Sequence, residues 1–335
     1  MKFCLQLNPQ VSIDKPGASL MPTLIEQVRV ADAVGFDAFS MGDHYNIPGL
    51  QRLNQVPALA RLCGEAKHCA VGTAVMLLGL RHPVTVASEL ASLDVVNGGK
   101  SFAAFGLGYR DEELKAFNLS KQQRFQRFTE GVEIIKRLWT EDHVSFSGEA
   151  FTLTDVSIDP KPLQQPRPPI WLAANTDAAV ARAARLGDGW MIGPHSAINE
   201  LDRQVALCRK SWSAAGKPGT PETPIIRETF VANNRNEAVE KARPCLEQLY
   251  RGIYVKWKQN EAMNDPSELA WAFDKLANGR FILGSPAQCI EQIHEYEQRL
   301  GVSYMLPRFD WTPGLPQDEI LASMRLFGEK VIQKL

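Results

Sequence analysis

The sequence carries almost no excess charge. Its 37 Lys and Arg face 38 Asp and Glu, a formal net charge of −1. That excludes the basic footprint which nucleic acid or an anionic membrane would require. No run of about 18 uncharged apolar residues occurs, so no bilayer-spanning helix is expected. Cysteine is sparse: Cys4, Cys63, Cys69, Cys208, Cys245 and Cys289 are scattered through 335 residues. This fits reduced thiols better than a disulfide framework. The opening MKFCLQLNPQ reads as too polar for a secretory signal, and these features together point to a cytoplasmic protein. Internal repeats and low-complexity tracts are missing, as are the GxSxG, HExxH and P-loop motifs. Cys63, His68 and Cys69 are the only metal-like grouping. Their spacing is wrong for zinc, so no metal is expected. No pair of carboxylates at strand ends suggests glycoside hydrolysis. At 44% hydrophobic and 22% charged residues, the chain is ordinary for a globular protein, which excludes disorder.

What is present is alternation. Short apolar runs predict strands at Lys2–Leu7, Ala38–Met41, Cys69–Val75, Ser101–Phe105, Ile170–Ala173, Gly189–Ile192, Ile225–Val231 and Ser303–Pro307. Few charges interrupt them, the pattern of strands buried on both faces of a parallel sheet. Helical periodicity fills the gaps, with helices over Leu24–Val34 after Pro22-Thr23, Thr85–Asn97, Asp177–Leu186 and Pro286–Leu300. Phe125, Phe128, Val132, Ile135 and Leu138 mark another amphipathic stripe. Eight strands alternating with helices predict an α/β fold, a (β/α)₈ TIM barrel, in one domain spanning residues 1–335. Such a barrel needs about 250 residues, which leaves on the order of 85 for insertions. Residues 140–169 read as a hairpin followed by a proline-rich crossing. Residues 233–281 read as a helical insertion and an active-site lid. The rival doubly wound sheet needs a glycine fingerprint, and Gly106-Leu107-Gly108 lacks the third glycine.

Barrel chemistry sits where strands exit at their C-terminal ends. Strand two exits into Asp43-His44-Tyr45-Asn46. His44 is either a proton-handling group or a loop histidine bonded to backbone. Strand three exits through Gly72-Thr73-Ala74-Val75, small residues that suit a flat ligand or ordinary barrel packing. The following His82 reads as structural. Strand four exits into Gly106-Leu107-Gly108-Tyr109-Arg110-Asp111, an anion site or a glycine turn. Strand five runs through Ala173-Ala174-Asn175-Thr176 into a helix start. Free N–H groups there suit a phosphate, and Thr176 also reads as the helix N-cap. Trp190 either flanks a ring or belongs to the core.

Taken together, these exits resemble the bacterial luciferase-like flavin-dependent oxidoreductases. The matching pieces are GFDAFSMGDHYN, VGTAVMLLGLRHPVTVASELASLD, FGLGYRDEEL, RFQRFTEGVEIIKRLW, VSFSGEAFTL, KPLQQPRPPIWLAANTDAAVARAARLGDGW and FILGSPAQCIEQI, in the family's order. The resemblance implies FMN, or the deazaflavin F420, at the barrel mouth, with His44 as the active-site histidine. It implies a cis peptide at Ala74–Val75 beneath the ring, and a phosphate on Ala174-Asn175-Thr176 assisted by Gly108, Tyr109, Arg124 or Arg127. Many relatives carry a Gly-Gly-Ser type turn where this chain has Ala173-Ala174-Asn175, so the side chain touching phosphate stays open. The segment after strand seven looks like the family's mobile lid, ending near Arg280.

The leading functional reading is a two-component monooxygenase using reduced FMN from a separate flavin reductase, and O₂, to oxygenate a small organic substrate. The alternative is an F420-dependent oxidoreductase moving hydride, with Asp111 as a carboxylate acid. The Asp43-His44-Tyr45-Asn46 string resembles that branch, but Lys and Arg are not visibly concentrated at the strand exits as the F420 tail would want. A third reading is a non-catalytic flavin-binding barrel or partner subunit. Phe39, Tyr45, Leu78, Trp190, Trp257 and Trp311 are candidates for an apolar substrate pocket. The resemblance also implies a homodimer.

Overall fold

The computed structural model describes residues 1–263 and 265–335; Asn264, in the polar stretch of the second insertion, lies outside the described residues. Eight parallel strands form the barrel: β1 (Lys2–Leu7), β2 (Ala38–Met41), β3 (Ala70–Leu77), β4 (Ser101–Gly106), β5 (Ile170–Ala173), β6 (Gly189–Met191), β7 (Ile225–Val231) and β8 (Tyr304–Arg308). The hydrogen-bonded order runs β6-β5-β4-β3-β2-β1-β8-β7. A bridge between Ile192 and Ile225 closes the ring. There the Ile192 N–H donates to the Pro224 carbonyl at 2.8 Å, and the Ile226 N–H donates to the Ile192 carbonyl at 3.0 Å. The expected (β/α)₈ barrel is therefore the observed fold. A ninth strand, Ile282–Gly284, pairs with β7 on its outer edge. Three residues are too short for a periodicity to reveal it.

Helix Leu20–Val34 begins four residues earlier than its sequence pattern suggested. Pro22 falls in the first turn, where a missing N–H breaks no intrahelical bond, so it does not mark a boundary. Helix Pro286–Leu300 opens with a capping box between Ser285 and Gln288. His82 is the N-cap of Pro83–Val96, its ring accepting from the Val84 N–H. All six cysteines are free and buried. Among the described residues, no helix is long and apolar enough to cross a membrane.

Alternation along the strands decides what fills the barrel. Cys4, Ala38, Phe102, Ala104, Trp171, Tyr304 and Leu306 form an interior cluster. The Phe102 and Trp171 rings lie 4.5 Å apart, and Tyr304 meets Trp171 at 5.2 Å. Toward the C-terminal ends the residues are small, notably Ala74, Gly106 and Ala173, so the mouth stays open above a plugged floor. Gly72 serves this packing: a Cβ there would meet the Phe102 ring at 2.2 Å. Gly72→Ala is expected to destabilise the fold by about 1–3 kcal/mol, the usual cost of overpacking. An unchanged urea midpoint would refute that role.

The two insertions are built differently. Val144–Ser147 pairs antiparallel with Thr152–Val156, and Glu130 of helix Lys121–Thr140 accepts the N–H groups of Glu149, Ala150 and Phe151 at its turn. After β7, helix Arg235–Glu247 continues as a wider π-helical turn, Gln248–Tyr254. That turn carries Leu249, Ile253 and Tyr254 to the barrel mouth, with Trp257 just beyond.

Candidate active site

A cavity of about 470 Å³ occupies the mouth, lined from the ends of the barrel strands and from the second insertion. Its size and mixed lining are those of a small-molecule site. The Ala74–Val75 peptide on its floor is cis. Gln6 Nε2 donates to the Ala74 carbonyl at 2.8 Å, and the Asp43 N–H donates to the Val75 carbonyl at 2.9 Å.

On one side stands His44. The β2 exit is anchored by Asp43, buried and paired with Arg81 at 3.1 Å, and by Arg52, which donates to the Gly42 carbonyl at 2.6 Å. His44 Nδ1 lies 2.9 Å from Glu113 Oε1, and the same oxygen accepts the Tyr45 N–H at 2.7 Å. A carboxylate only accepts, so Nδ1 carries the proton and Nε2 is left for a ligand. Glu113 is almost wholly buried and its Oε2 has no partner. Arg110 approaches Glu113 at 3.6 Å, donates to the Tyr45 carbonyl, and lies 5.0 Å from the Trp257 ring. Trp257 and Tyr109 both pack on the His44 imidazole, at 5.4 and 5.7 Å.

The other end is the β5 exit. Thr176 occupies the N-cap position of helix Asp177–Leu186 in extended conformation, and its side chain caps nothing. Ala174, Asn175 and Thr176 line the cavity, as do Gly108, Tyr109, Lys121, Arg124 and Arg182. Arg124 donates to the Gly108 carbonyl while its Nε is buried without a partner. Burial lowers the pKa of both Arg124 and Arg182. A concentration of cations thus exists, contrary to the sequence reading. It was hidden because its members sit on two helices rather than at strand ends.

Several expected residues lie elsewhere. Arg127 donates to the Gly79 and Arg81 carbonyls and stacks on Phe151, outside the cavity lining. Trp190 is core, its indole N–H fastening the Ala174 carbonyl at 2.9 Å. Tyr45 packs against Phe117, and Asp111 pairs with Lys121 on the surface. Arg280 is fully buried, donating to the His195 carbonyl at 2.6 Å and pairing with Glu268. Of the apolar pocket candidates, Trp257 and Trp311 reach the cavity, whereas Phe39 and Leu78 are core.

Other residues at or behind the site escaped the sequence reading. Glu113 lies two positions beyond Asp111, in the run Asp-Glu-Glu, and only helix phase tells which acid turns inward. Arg52 is held by Gln10 and the Gly42 carbonyl, and burial pulls its pKa down to about 10. His195 has both ring nitrogens buried and unpartnered. Burial, with Arg308, Arg280 and Arg227 nearby, pushes it down to about 3, so it is neutral at physiological pH. Burial pushes Asp310 up to about 6. Among the described residues, no cluster could hold a metal ion.

The mouth of the closed parallel barrel thus carries a histidine held by a carboxylate and a helix start with cations in the same cavity. The luciferase-like monooxygenase family model matches residues 1–303, and the chain belongs to that family of flavin-dependent oxidoreductases. It is 26% identical to the oxygenase component of the flavin-dependent trigonelline monooxygenase of Acinetobacter baylyi, across 78% of this chain and 73% of that one. It is also 26% identical to an F420-dependent glucose-6-phosphate dehydrogenase of Microbacterium testaceum, across 91% of each. The crystal structure of monooxygenase RslO1 from Streptomyces bottropensis superposes with a TM-score of 0.87 at 26% identity, covering 100% of this chain and 99% of that one.

Proposed function

We propose that the protein is the oxygenase component of a two-component monooxygenase, acting with reduced FMN delivered by a separate flavin reductase. The observation that carries this reading is that one cavity is lined both by His44, held by Glu113 at 2.9 Å, and by the Ala174–Thr176 helix start. The cavity fits the cofactor. Arg124 offers an unpartnered buried Nε where a phosphate would sit, beside a helix start. Gly106 keeps the floor flat, since a Cβ there would strike Val75 at 2.7 Å. Ala74, Val75, Gly108, Tyr109, Asn175, Thr176 and Arg182 complete the binding surface. When bound, the reduced flavin supplies the electrons that activate O₂.

The chain's own residues do the rest. Glu113 holds His44 with Nε2 toward the cavity, where it takes or returns a proton. Tyr254, Trp257 and Leu249 from the insertion cover the mouth and exclude water, the task of a lid. Arg280 ties that insertion to the β6 exit.

F420-dependent hydride transfer is the second reading. The cation group Lys121, Arg124 and Arg182 suits an anionic tail, and Glu113, rather than Asp111, is the carboxylate beside His44. Anaerobic titration with both reduced cofactors separates the two. Reduced FMN is expected to bind at least about tenfold more tightly, or about 1.4 kcal/mol. A preference for reduced F420 would transfer the protein to the other branch.

A further inference from the structure

The cavity has a second polar wall, built by Arg308 from β8, Tyr254 from the insertion and His195 from the β6 exit. Arg308 is paired with the fully buried Glu228 and donates to the Tyr254 hydroxyl at 2.6 Å. The Tyr254 oxygen therefore accepts, and its own O–H remains to donate. Arg308 Nε and both His195 nitrogens have no partner. A neutral imidazole keeps one N–H, so all three residues present donors.

One buried cation behind this wall is not matched by a carboxylate. Arg227 is fully buried, yet it bonds only the Tyr296 hydroxyl and the carbonyls of Gly193, Ile226 and Ser196. Arg52 bonds Gln10 and the Gly42 carbonyl, and the Asp43 and Glu113 carboxylates compensate its charge. Arg280 is matched by Glu268, and Arg308 by Glu228. Two carboxylates on the cavity lining stand near them: Asp43, which is paired with Arg81 and acts electrostatically on Arg52, and Asp310, which Gln27 binds at 3.2 Å. Among the described residues Arg227 is thus a fully buried guanidinium without a carboxylate partner, and in a low-dielectric interior an unmatched cation favours an anionic partner. The scaffold is rigid: Arg227, Arg280 and the Tyr250 hydroxyl clamp the Gly193–Ser196 carbonyls from behind.

We propose that this wall is the substrate's recognition site and that the substrate carries a carboxylate, seated on Arg308, Tyr254 and His195. A carboxylate offers two acceptor oxygens to a guanidinium fork and to the flanking O–H and N–H. The proposal rests on the oxygenase reading, which gives the Arg124 end to the flavin phosphate. The two anion sites share no residue, so mutation separates them.

The test is calorimetric titration of the FMN-loaded protein with benzoate and hexanoate against benzamide and hexanamide. Each acid is expected to bind at least about tenfold more tightly than its amide. Tyr254→Phe and His195→Phe should each reduce that preference about threefold or more, with FMN affinity retained and the fold kept, although Tyr254→Phe also removes the acceptor of the Arg308 bond and should lower the thermal midpoint. Equal affinity for acid and amide overturns the proposal. So does a preference that survives both variants but vanishes in Arg124→Ala, since the acids would then occupy the phosphate seat. If FMN itself fails to bind, the oxygenase reading falls, and the same four ligands titrated against the cofactor-free protein still decide whether the wall selects acids.

Discussion

His44→Ala is expected to retain reduced-FMN binding and to lose turnover by about 10²–10⁴-fold, the usual contribution of a positioned acid–base group. The imidazole is bonded to Glu113 and packs on Tyr109 and Trp257 rather than on Arg124 or Arg182, so its removal leaves the cationic seat intact. Glu113 should behave as a positioning residue. Its Oε1 accepts from both the His44 ring and the Tyr45 N–H, and loss of the carboxylate frees the imidazole to rotate. Glu113→Ala is therefore expected to cost about 10–100-fold in turnover. Glu113→Gln should recover part of this, because an amide oxygen can still accept both N–H groups. The decisive measurement is single-turnover oxidation with pre-bound reduced FMN. Full activity in His44→Ala would remove the imidazole from the mechanism. Identical losses in Glu113→Ala and Glu113→Gln would show that geometry is not what the carboxylate supplies.

Arg124→Ala is expected to weaken FMN binding by about 10–150-fold, the worth of one charge-assisted hydrogen bond of about 1.5–3 kcal/mol. Riboflavin, which has no phosphate, should bind the variant and the parent alike. Arg182→Ala should act in the same direction, because both guanidiniums line the same end of the cavity. Arg127→Ala supplies the contrast. Its bonds run to the Gly79 and Arg81 carbonyls, so it should lower thermal stability while the FMN-to-riboflavin ratio stays unchanged. If Arg127→Ala abolished that ratio and Arg124→Ala did not, the phosphate seat would have to be moved.

The difference between those two arginines shows what could be read from residue order and what could not. Both lie on helix Lys121–Thr140, three positions apart, and both were candidates for phosphate. Periodicity places them on neighbouring helical faces but does not say which face meets the cavity. The hairpin at Phe151 draws Arg127 outward, while Gly108 draws Arg124 inward. Asp111 and Glu113 repeat the point within a single turn. One pairs with Lys121 on the surface, and the other is buried against His44. Trp190 was recognisable as either core or pocket, and only its indole bond to the Ala174 carbonyl resolves it as a fastener of the seat.

By itself the sequence determined the eight-strand alternation, the histidine at the second strand exit and the small-residue run that starts the helix after β5. Each is a local matter, written in runs of consecutive residues whose backbone preferences and apolar spacing operate before distant parts of the chain meet. Tertiary structure alone decided the carboxylate partner of His44, the gathering of Lys121, Arg124 and Arg182, and the wall formed by His195, Tyr254 and Arg308. Those groups lie up to 113 positions apart, as His195 and Arg308 do. The last of these, His195, Tyr254 and Arg308, become neighbours only when the barrel closes at Ile192 and Ile225, and the low dielectric of the closed barrel gives charges and unpartnered donors their chemical weight.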